Sequence, residues 1–129
     1  MSPSLPDILD GQAIALSTPQ PPEAGDDYIA GRLGILGMLA MLAAQEAERG
    51  VAAAHWENDA IREIAGEPSS ADANLGLTAL TAENARLRRR LIAVHEAAEA
   101  RGDRDLDRRI LRLYREMARR RRLDLPPLP

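Results

Sequence analysis

The sequence predicts an all-α protein: a helical bundle in which one long helix packs with a C-terminal antiparallel helix hairpin, preceded by an extended, proline-rich N-terminal arm. Three observations favour this class. Hydrophobic residues make up 45% of the 129 residues, yet aromatic residues make up only 2% and phenylalanine is absent. Stretches rich in strand-forming residues are missing. Leucines also recur at helical spacing from Leu33 onward.

The segment 1–25 is expected to form an extended or disordered arm. Pro19, Pro21 and Pro22 exclude a regular helix around them, because proline lacks a backbone N–H donor and restricts the residue before it. If this arm is ordered, it should lie across the helices or across a neighbouring subunit. A helical domain is expected over residues 26–122, and residues 123–129 are expected to form an extended, proline-rich tail.

The long helix is predicted to begin at Asp26 and Asp27, because acceptor side chains and negative charge stabilise a helix N-terminus. Helical composition continues to about Ala65, and Gly50 is the point where the helix would kink or end. Such a helix is about 60 Å long at a rise of about 1.5 Å per residue, so part of it would lack cover from the shorter helices of its own chain. Its uninterrupted apolar run covers only positions 33–44. A membrane span needs roughly 20 residues, so the run favours a buried core helix and no membrane partner.

Three glycines, Gly31, Gly34 and Gly37, recur at every third position of this helix. Glycine in a helix interior costs about 1 kcal/mol relative to alanine, so their recurrence suggests that another backbone approaches closely there. The alternative is a frayed first turn. Apolar side chains surround the helix, which therefore needs burial on several sides. We expect a homodimer with an interface formed by Ile29, Leu33, Gly34, Leu36, Gly37 and Leu39.

The third helix carries a short heptad pattern in the segment LTAENARLRRRL, and Thr78 or Thr81 is expected to open it. A DNA-binding zipper would place its basic region before the leucine repeat. Here the arginines lie inside a repeat of about three heptads, so a seam within a bundle is favoured. The same pattern would let Glu83 pair with Arg88 of a parallel partner helix. The predicted seam consists of Leu80, Asn84, Leu87, Leu91 and Val94.

The fourth helix is predicted over residues 103–121. Gly102 leaves almost no connecting length between the third and fourth helices, so the two should form an antiparallel hairpin. One face of the fourth helix is apolar and should pack against the third helix; its residues are Leu106, Ile110, Leu113 and Met117.

Charge is unevenly distributed along the chain. Residues 1–75 contain 12 acids and 3 arginines, a net charge of −9, whereas residues 76–129 contain 8 acids and 14 arginines, a net charge of +6; the sum is −3. The basic half raises the alternative of nucleic-acid binding, although the acidic half would repel phosphates. We expect the arginine clusters to be a solvated face and a helix C-terminus that complements its dipole. They comprise Arg86, Arg88, Arg89 and Arg90, and Arg119, Arg120, Arg121 and Arg122.

No pattern in the sequence indicates catalysis, a cofactor or a metal. Cysteine is absent, and no serine lies in a nucleophile motif. Each histidine has a carboxylate four residues later: His55 precedes Asp59, and His95 precedes Glu99. This spacing places both groups on one helical face, which a metal or small-ligand site could use. A pair that stabilises its own helix is the favoured interpretation. The N-terminus lacks the features of a signal peptide, so a cytoplasmic location is expected.

Two segments, YIAGRLGILGMLAMLAAQEAERG and LTAENARLRRRLIAVHEAAEARGD, are followed by an apolar, proline-containing end. Residues 28–126 thereby resemble a family of small helical bacterial proteins of uncharacterised function, whose genes often lie beside those of phosphotransferase-like kinases and acyl-CoA dehydrogenases. The segment 1–25 departs from that family's N-terminus. The resemblance implies no catalytic residue and an accessory role beside an enzyme. We therefore expect a non-enzymatic protein that acts through self-association and contacts with another protein.

Overall fold

The structure is a computed structural model that describes residues 5–69 and 73–125. These residues form four α-helices and no strand, which confirms the all-α class. The helices are α1 (Leu5–Ser17), α2 (Asp26–Ala65), α3 (Leu77–Arg101) and α4 (Arg104–Arg120). The last residues of the predicted tail, 126–129, lie outside the described part of the chain.

Helix α1 corrects the prediction of an extended arm, because Leu5–Ser17 are helical. Pro6 lies in the first turn, where the missing N–H would have no partner inside the helix in any case. Asp7 adds a favourable negative charge to the same turn. The prolines that exclude a helix, Pro19, Pro21 and Pro22, all follow α1, and the segment from Thr18 to Gly25 is not helical.

Helix α2 runs from Asp26 to Ala65 without interruption, so Gly50 does not end it. Gly50 is buried. The helix ends at Gly66, whose φ of 69° lies in the left-handed region that glycine adopts without strain. The N–H of Glu67 donates to the carbonyl of Arg62 at 3.0 Å, as expected for such a helix end.

Helices α3 and α4 are joined by two residues with defined capping roles. Gly102 ends α3 in the left-handed conformation, and its N–H donates to the carbonyl of Glu99 at 3.0 Å. Asp103 caps α4, because its side chain accepts from the N–H of Leu106 at 3.1 Å. At the other end of α3, the N-cap is Gly76, one position before Leu77. The expected opening at Thr78 or Thr81 is therefore wrong by one to four residues.

The chain divides into two compact units. The first unit contains residues up to Glu48 together with those from Leu123 onward, and the second is Arg49–Arg122. In the first unit, the Gln12 amide donates to the Leu36 carbonyl at 2.8 Å, and the Arg32 guanidinium donates to the Ala15 carbonyl. The Gln45 side chain exchanges two hydrogen bonds with the backbone of Asp124, at 2.8 and 2.9 Å.

The second unit has a shared apolar core to which its three helices all contribute. Each of the six buried side chains at its centre is at most 7% exposed, and Trp56, Ile64 and Tyr114 are among the partly buried residues around them. Full burial of one such aliphatic side chain stabilises the fold by about 1.5–3 kcal/mol. The six residues are Ile61 from α2, Leu87 and Leu91 from α3, and Ile110, Leu113 and Met117 from α4.

Candidate functional site

The first half of α2 presents an apolar face to solvent. Leu33 is 58% exposed and Met41 is 50% exposed. Helical spacing places these two side chains on the same side of α2 as Gly37. The rest of this side consists of small residues, all exposed: Ala30, Gly34, Ala40 and Ala44. We call these seven residues the small-residue face.

The other side of this half of α2 lies toward α1. The hydrogen bond from Gln12 reaches the backbone of Leu36, and Ala43 is only 4% exposed. An open groove of about 480 Å³ runs beside α1. Most of its lining is apolar or glycine: Gly11, Ala15, Tyr28, Gly31, Ile35, Leu36 and Leu39, with Asp27 and Arg32 as its charged residues.

The six predicted interface residues are therefore divided between the two sides. Leu33, Gly34 and Gly37 belong to the exposed small-residue face. Leu36 and Leu39 are half-buried and line the groove beside α1, and Ile29 is also half-buried. The described part of the chain therefore buries one side of this half of α2 only partly and leaves the other side exposed.

Within residues 5–69 and 73–125, no neighbouring atom requires glycine at the three regularly spaced positions. A methyl group added at Gly31, Gly34 or Gly37 would meet no atom within 4 Å outside the helix's own backbone. Alanine at these positions would stabilise the helix by about 1 kcal/mol per residue relative to glycine. Packing among the described residues does not explain why the sequence has glycine there.

Helix α2 also meets the length and composition expected of a membrane span. Its most apolar 18-residue window has a mean hydropathy of 1.4, and 6% of that window is buried. Among the described residues it is the one helix of this kind. The core helices of soluble proteins pass the same test of length and hydropathy, but they are mostly buried. The window in α2 differs from such helices because only 6% of it is buried.

In the second unit, a buried carboxylate lies at the centre of a polar network. Glu57 on α2 is 1% exposed. Its two carboxylate oxygens accept from Arg88 Nε at 2.6 Å and from Arg121 Nε at 2.7 Å. Asn84 donates to Glu57 at 2.9 Å and to Asn58 at 3.0 Å. Asn58 in turn donates to the Leu80 carbonyl at 3.3 Å.

The hydrogen bonds decide the charge state of Glu57. Burial alone would raise the pKa of its carboxyl group. The hydrogen bonds from Arg88, Arg121 and Asn84 outweigh that effect and hold the pKa below its ordinary value of 4.5. Glu57 is therefore ionised and paired. Among the described residues, every buried side-chain nitrogen and oxygen has a hydrogen-bond partner.

A second polar cluster surrounds Arg62, which is 4% exposed. Its guanidinium donates to Asp59 and to Glu83, both at 3.1 Å. Glu83 also accepts from Arg86, which reaches Glu67 at 2.8 Å as well. The hydrogen bond from Arg86 and a weaker one from Arg62 lower the pKa of Glu83 despite its burial.

The predicted seam lies along this network. Leu80, Leu87 and Leu91 are buried, Asn84 is 5% exposed and Val94 is half-buried against the core. Sequence reasoning missed the partners of Asn84, which are Glu57 and Asn58. Their signal was the spacing on α2, because Ala54, Glu57, Asn58 and Ile61 recur at intervals of three and four and so share one helical side.

The arginines of both clusters are exposed, as expected, except Arg121, which is half-buried, and several of them also bond carboxylates. Arg88 reaches buried Glu57 of its own chain, and Glu83 is engaged with Arg62 and Arg86. Both side chains of the predicted pair between Glu83 and Arg88 of a partner helix therefore already have oppositely charged partners within their own chain. Arg120 stacks over the Trp56 ring at 4.1 Å. Five of the eight cluster arginines bond carboxylates of this chain: Arg86, Arg88, Arg119, Arg120 and Arg121.

The two histidine pairs differ in their surroundings. His55 Nε2 lies 3.6 Å from Asp59, which also bonds Arg62. His95 Nε2 lies 3.9 Å from Glu99 and 2.9 Å from Asp107, a residue of α4 that the sequence did not suggest. The His95 ring packs near Tyr114, with ring centroids 5.6 Å apart. Burial and the nearby Glu99 charge both raise the pKa of Tyr114.

Comparison of the chain with protein-family models, with curated proteins and with solved structures finds no match, so these arrangements of residues carry the functional argument.

Proposed function

We propose that this protein is a non-enzymatic, cytoplasmic bacterial protein that self-associates through the first half of α2 and acts through contacts with another protein. The observation that carries this proposal is the exposed apolar surface of the first unit. Tyr28, Leu33, Ile35 and Met41 are each 50–58% exposed. Leu33 and Met41 lie on the small-residue face, whereas Tyr28 and Ile35 line the groove beside α1, so this half of α2 exposes large apolar side chains on both sides. Extended apolar surface of this kind marks interaction sites in soluble proteins.

A second copy of the chain is the occupant that this surface fits best. Helix α2 offers large apolar side chains beside glycines whose Cβ positions are open, so a partner helix can approach its backbone closely. The same helix of a second copy carries the same large apolar side chains and the same open glycine positions, so the two surfaces can be complementary in an interface with two-fold symmetry.

A bilayer fits this surface less well, because α1 is bonded to the middle of the apolar stretch. Gln12 of α1 donates to the Leu36 carbonyl, and Arg32 donates to the Ala15 carbonyl. Inserting this half of α2 would draw Asp7 and Asp10 of α1 toward the hydrocarbon. Insertion of a carboxylate costs about 2.5–3.5 kcal/mol at the centre of a span.

The accessory role is supported by the resemblance described above. Nucleic-acid binding remains the alternative, and a metal or small-ligand bundle using His55, Asp59, His95 and Glu99 is a third. The ion pairs of five of the eight cluster arginines weaken the nucleic-acid alternative, because those side chains would have to leave carboxylates to reach phosphates.

Sedimentation velocity over a range from about 1 to 100 µM tests the proposal against the 14.1 kDa mass of the monomer. We expect a dimer in the micromolar range. Leu33→Arg should dissociate it, because burying the exposed half of Leu33 contributes about 1 kcal/mol per copy and a buried guanidinium would lack a partner. The matched control is Ile92→Arg on α3, since Ile92 is 52% exposed but lies outside the surface.

A monomer across the whole range, or equal weakening by Leu33→Arg and Ile92→Arg, would overturn the proposal. Co-sedimentation of the monomer with phospholipid vesicles would replace it with a membrane function. Salt-sensitive binding to duplex DNA that is lost on substitution of Arg119 and Arg122 would favour the nucleic-acid alternative.

A further inference from the structure

A cluster on the α3–α4 hairpin carries an inference that is independent of self-association. We propose that His95, Glu99 and Asp107 form a binding site for one divalent transition-metal ion of the Zn²⁺ class. One donor atom from each of these residues lies within 4.8 Å of the donors of the other two.

The distances between donors are close to those that a shared metal ion requires. Donors bound to one tetrahedral Zn²⁺ at about 2.1 Å lie about 3.4 Å apart. His95 Nε2 is 2.9 Å from Asp107 Oδ1 and 3.9 Å from Glu99 Oε1, so the observed separations bracket that value. The Glu99 and Asp107 donors also lie within 4.8 Å of each other, so side-chain movements of about an ångström would bring all three donors onto one ion.

The backbone holds these side chains in place from both helices. His95 and Glu99 share one face of α3, and Asp107 lies in the first turn of α4. The connection between the two helices is fixed by Gly102 and Asp103, whose N–H groups donate to carbonyls of α3 at 3.0 and 2.9 Å. The donors therefore lie on regular, capped helices and not on a loop, so little order has to be created when a metal binds.

The burial of the three residues suits a site that is open on one side. The side chains of His95, Asp107 and Glu99 are 19%, 34% and 66% exposed, respectively. The Tyr114 ring packs near the His95 imidazole and limits its rotation. A metal can therefore enter from the Glu99 side, and water can supply its fourth ligand.

The donor set selects the class of ion. One imidazole and two carboxylates suit Zn²⁺ and its neighbours among the first-row transition metals, whereas Ca²⁺ and Mg²⁺ prefer oxygen ligands alone. On binding, the metal takes the lone pair of His95 Nε2. In the complex that nitrogen carries no proton and the ring keeps one proton on Nδ1, and the direct hydrogen bond to Asp107 is replaced by two bonds to the ion.

The chain contains a matched control in its other histidine pair. His55 and Asp59 have the same spacing of four residues on a helix and lie 3.6 Å apart. Asp59 is already bonded by Arg62 at 3.1 Å, and within the described part of the chain this pair belongs to no group of three metal-ligating donors. His55→Ala should therefore leave the metal affinity unchanged.

The test is calorimetric titration of Zn²⁺ into metal-stripped protein that carries no polyhistidine tag. We expect one ion per chain in the wild type and in His55→Ala, and no such binding in His95→Ala. The near-isosteric variants Glu99→Gln and Asp107→Asn should each weaken the affinity at least about tenfold, since even residues outside the ligand set change metal affinity by about 10–100-fold. Co²⁺ bound to the wild type should show the intense visible absorption of four-coordinate cobalt.

Circular dichroism of each variant checks that it is folded. If His95→Ala does not fold, the zinc affinities of Glu99→Gln and Asp107→Asn test the proposed site. Absence of Zn²⁺ binding by the wild type would overturn the proposal. So would unchanged affinity in both Glu99→Gln and Asp107→Asn, or loss of binding in His55→Ala.

Discussion

Gly37 gives a sharp prediction, because its replacement should have opposite effects on the isolated chain and on the dimer. A Cβ atom added at Gly37 meets no atom within 4 Å among the described residues, apart from its chain neighbours and the nearby backbone of its own helix. Gly37→Ala should therefore raise the stability of the helix in the monomer by about 1 kcal/mol, the difference in helix propensity. At a close helix crossing, the added methyl group would be overpacked, which costs about 1–3 kcal/mol per site.

The proposed dimer contains this site twice, so the expected loss of association free energy is about 2–6 kcal/mol. Since about 1.4 kcal/mol corresponds to a tenfold change, the dissociation constant should rise by about 30-fold or more. Sedimentation equilibrium measures this constant, and thermal unfolding at a concentration well below it measures the stability of the monomer.

Gly31→Ala provides the matched control. Gly31 lies on the same helix with an equally open Cβ position, but it lines the groove beside α1 and not the small-residue face. We expect the same gain in monomer stability without weaker association. If Gly37→Ala leaves the dissociation constant unchanged or lowers it, the two helices do not approach closely at this face, and the reasoning from the glycines is refuted.

Two further predictions concern Glu57. Glu57→Ala should destabilise the second unit by about 1–3 kcal/mol in urea unfolding, because Arg88 and Arg121 lose their ionic partner and Asn84 loses one of its two acceptors. A loss below about 0.5 kcal/mol would show that water replaces the carboxylate at no cost. The wild type should also lose stability in acid, because the pKa of Glu57 in the folded chain lies below its ordinary value of 4.5. The stabilisation by the ionised Glu57 carboxylate is complete above pH 4.5 and disappears as the pH falls through the pKa of the folded state. Urea midpoints at pH 7, 5 and 3 measure this loss, and Glu57→Gln should show a shallower fall between pH 5 and 3 than the wild type.

The sequence was sufficient to predict three of the four helices, because their ends carry local signals. Asp26 begins α2, Gly66 follows its end, and Gly102 with Asp103 separates α3 from α4. Helix α1 was not predicted, because the prediction for residues 1–25 took account of how many prolines they contain and not of where those prolines lie. Pro6 lies where a helix tolerates proline, and the others in the described segment follow the helix.

The partners of the polar groups could not be predicted in the same way. The heptad pattern places Asn84 on the inner side of α3, but it does not say which residue of another helix lies opposite. Arg88 and Arg121 are separated from Glu57 by 31 and 64 residues. These pairs depend on how α2 is rotated against α3 and α4, which is fixed by packing of the whole core and not by any local pattern.

The two halves of α2 differ in how their polar and apolar groups are partnered, and this contrast supports the interface proposed for the first half. In its second half, the charged groups Glu57 and Arg62 are buried, and each has partners on α3. Because a buried ion that loses its partner is costly, this arrangement disfavours other registers of α3 against α2. In the first half, Arg32 donates to a backbone carbonyl of α1 and Gln12 of α1 donates to the Leu36 carbonyl, while Leu33 and Met41 face solvent. The second unit thus satisfies its buried groups within one chain, whereas the first unit leaves apolar surface that a second copy can cover.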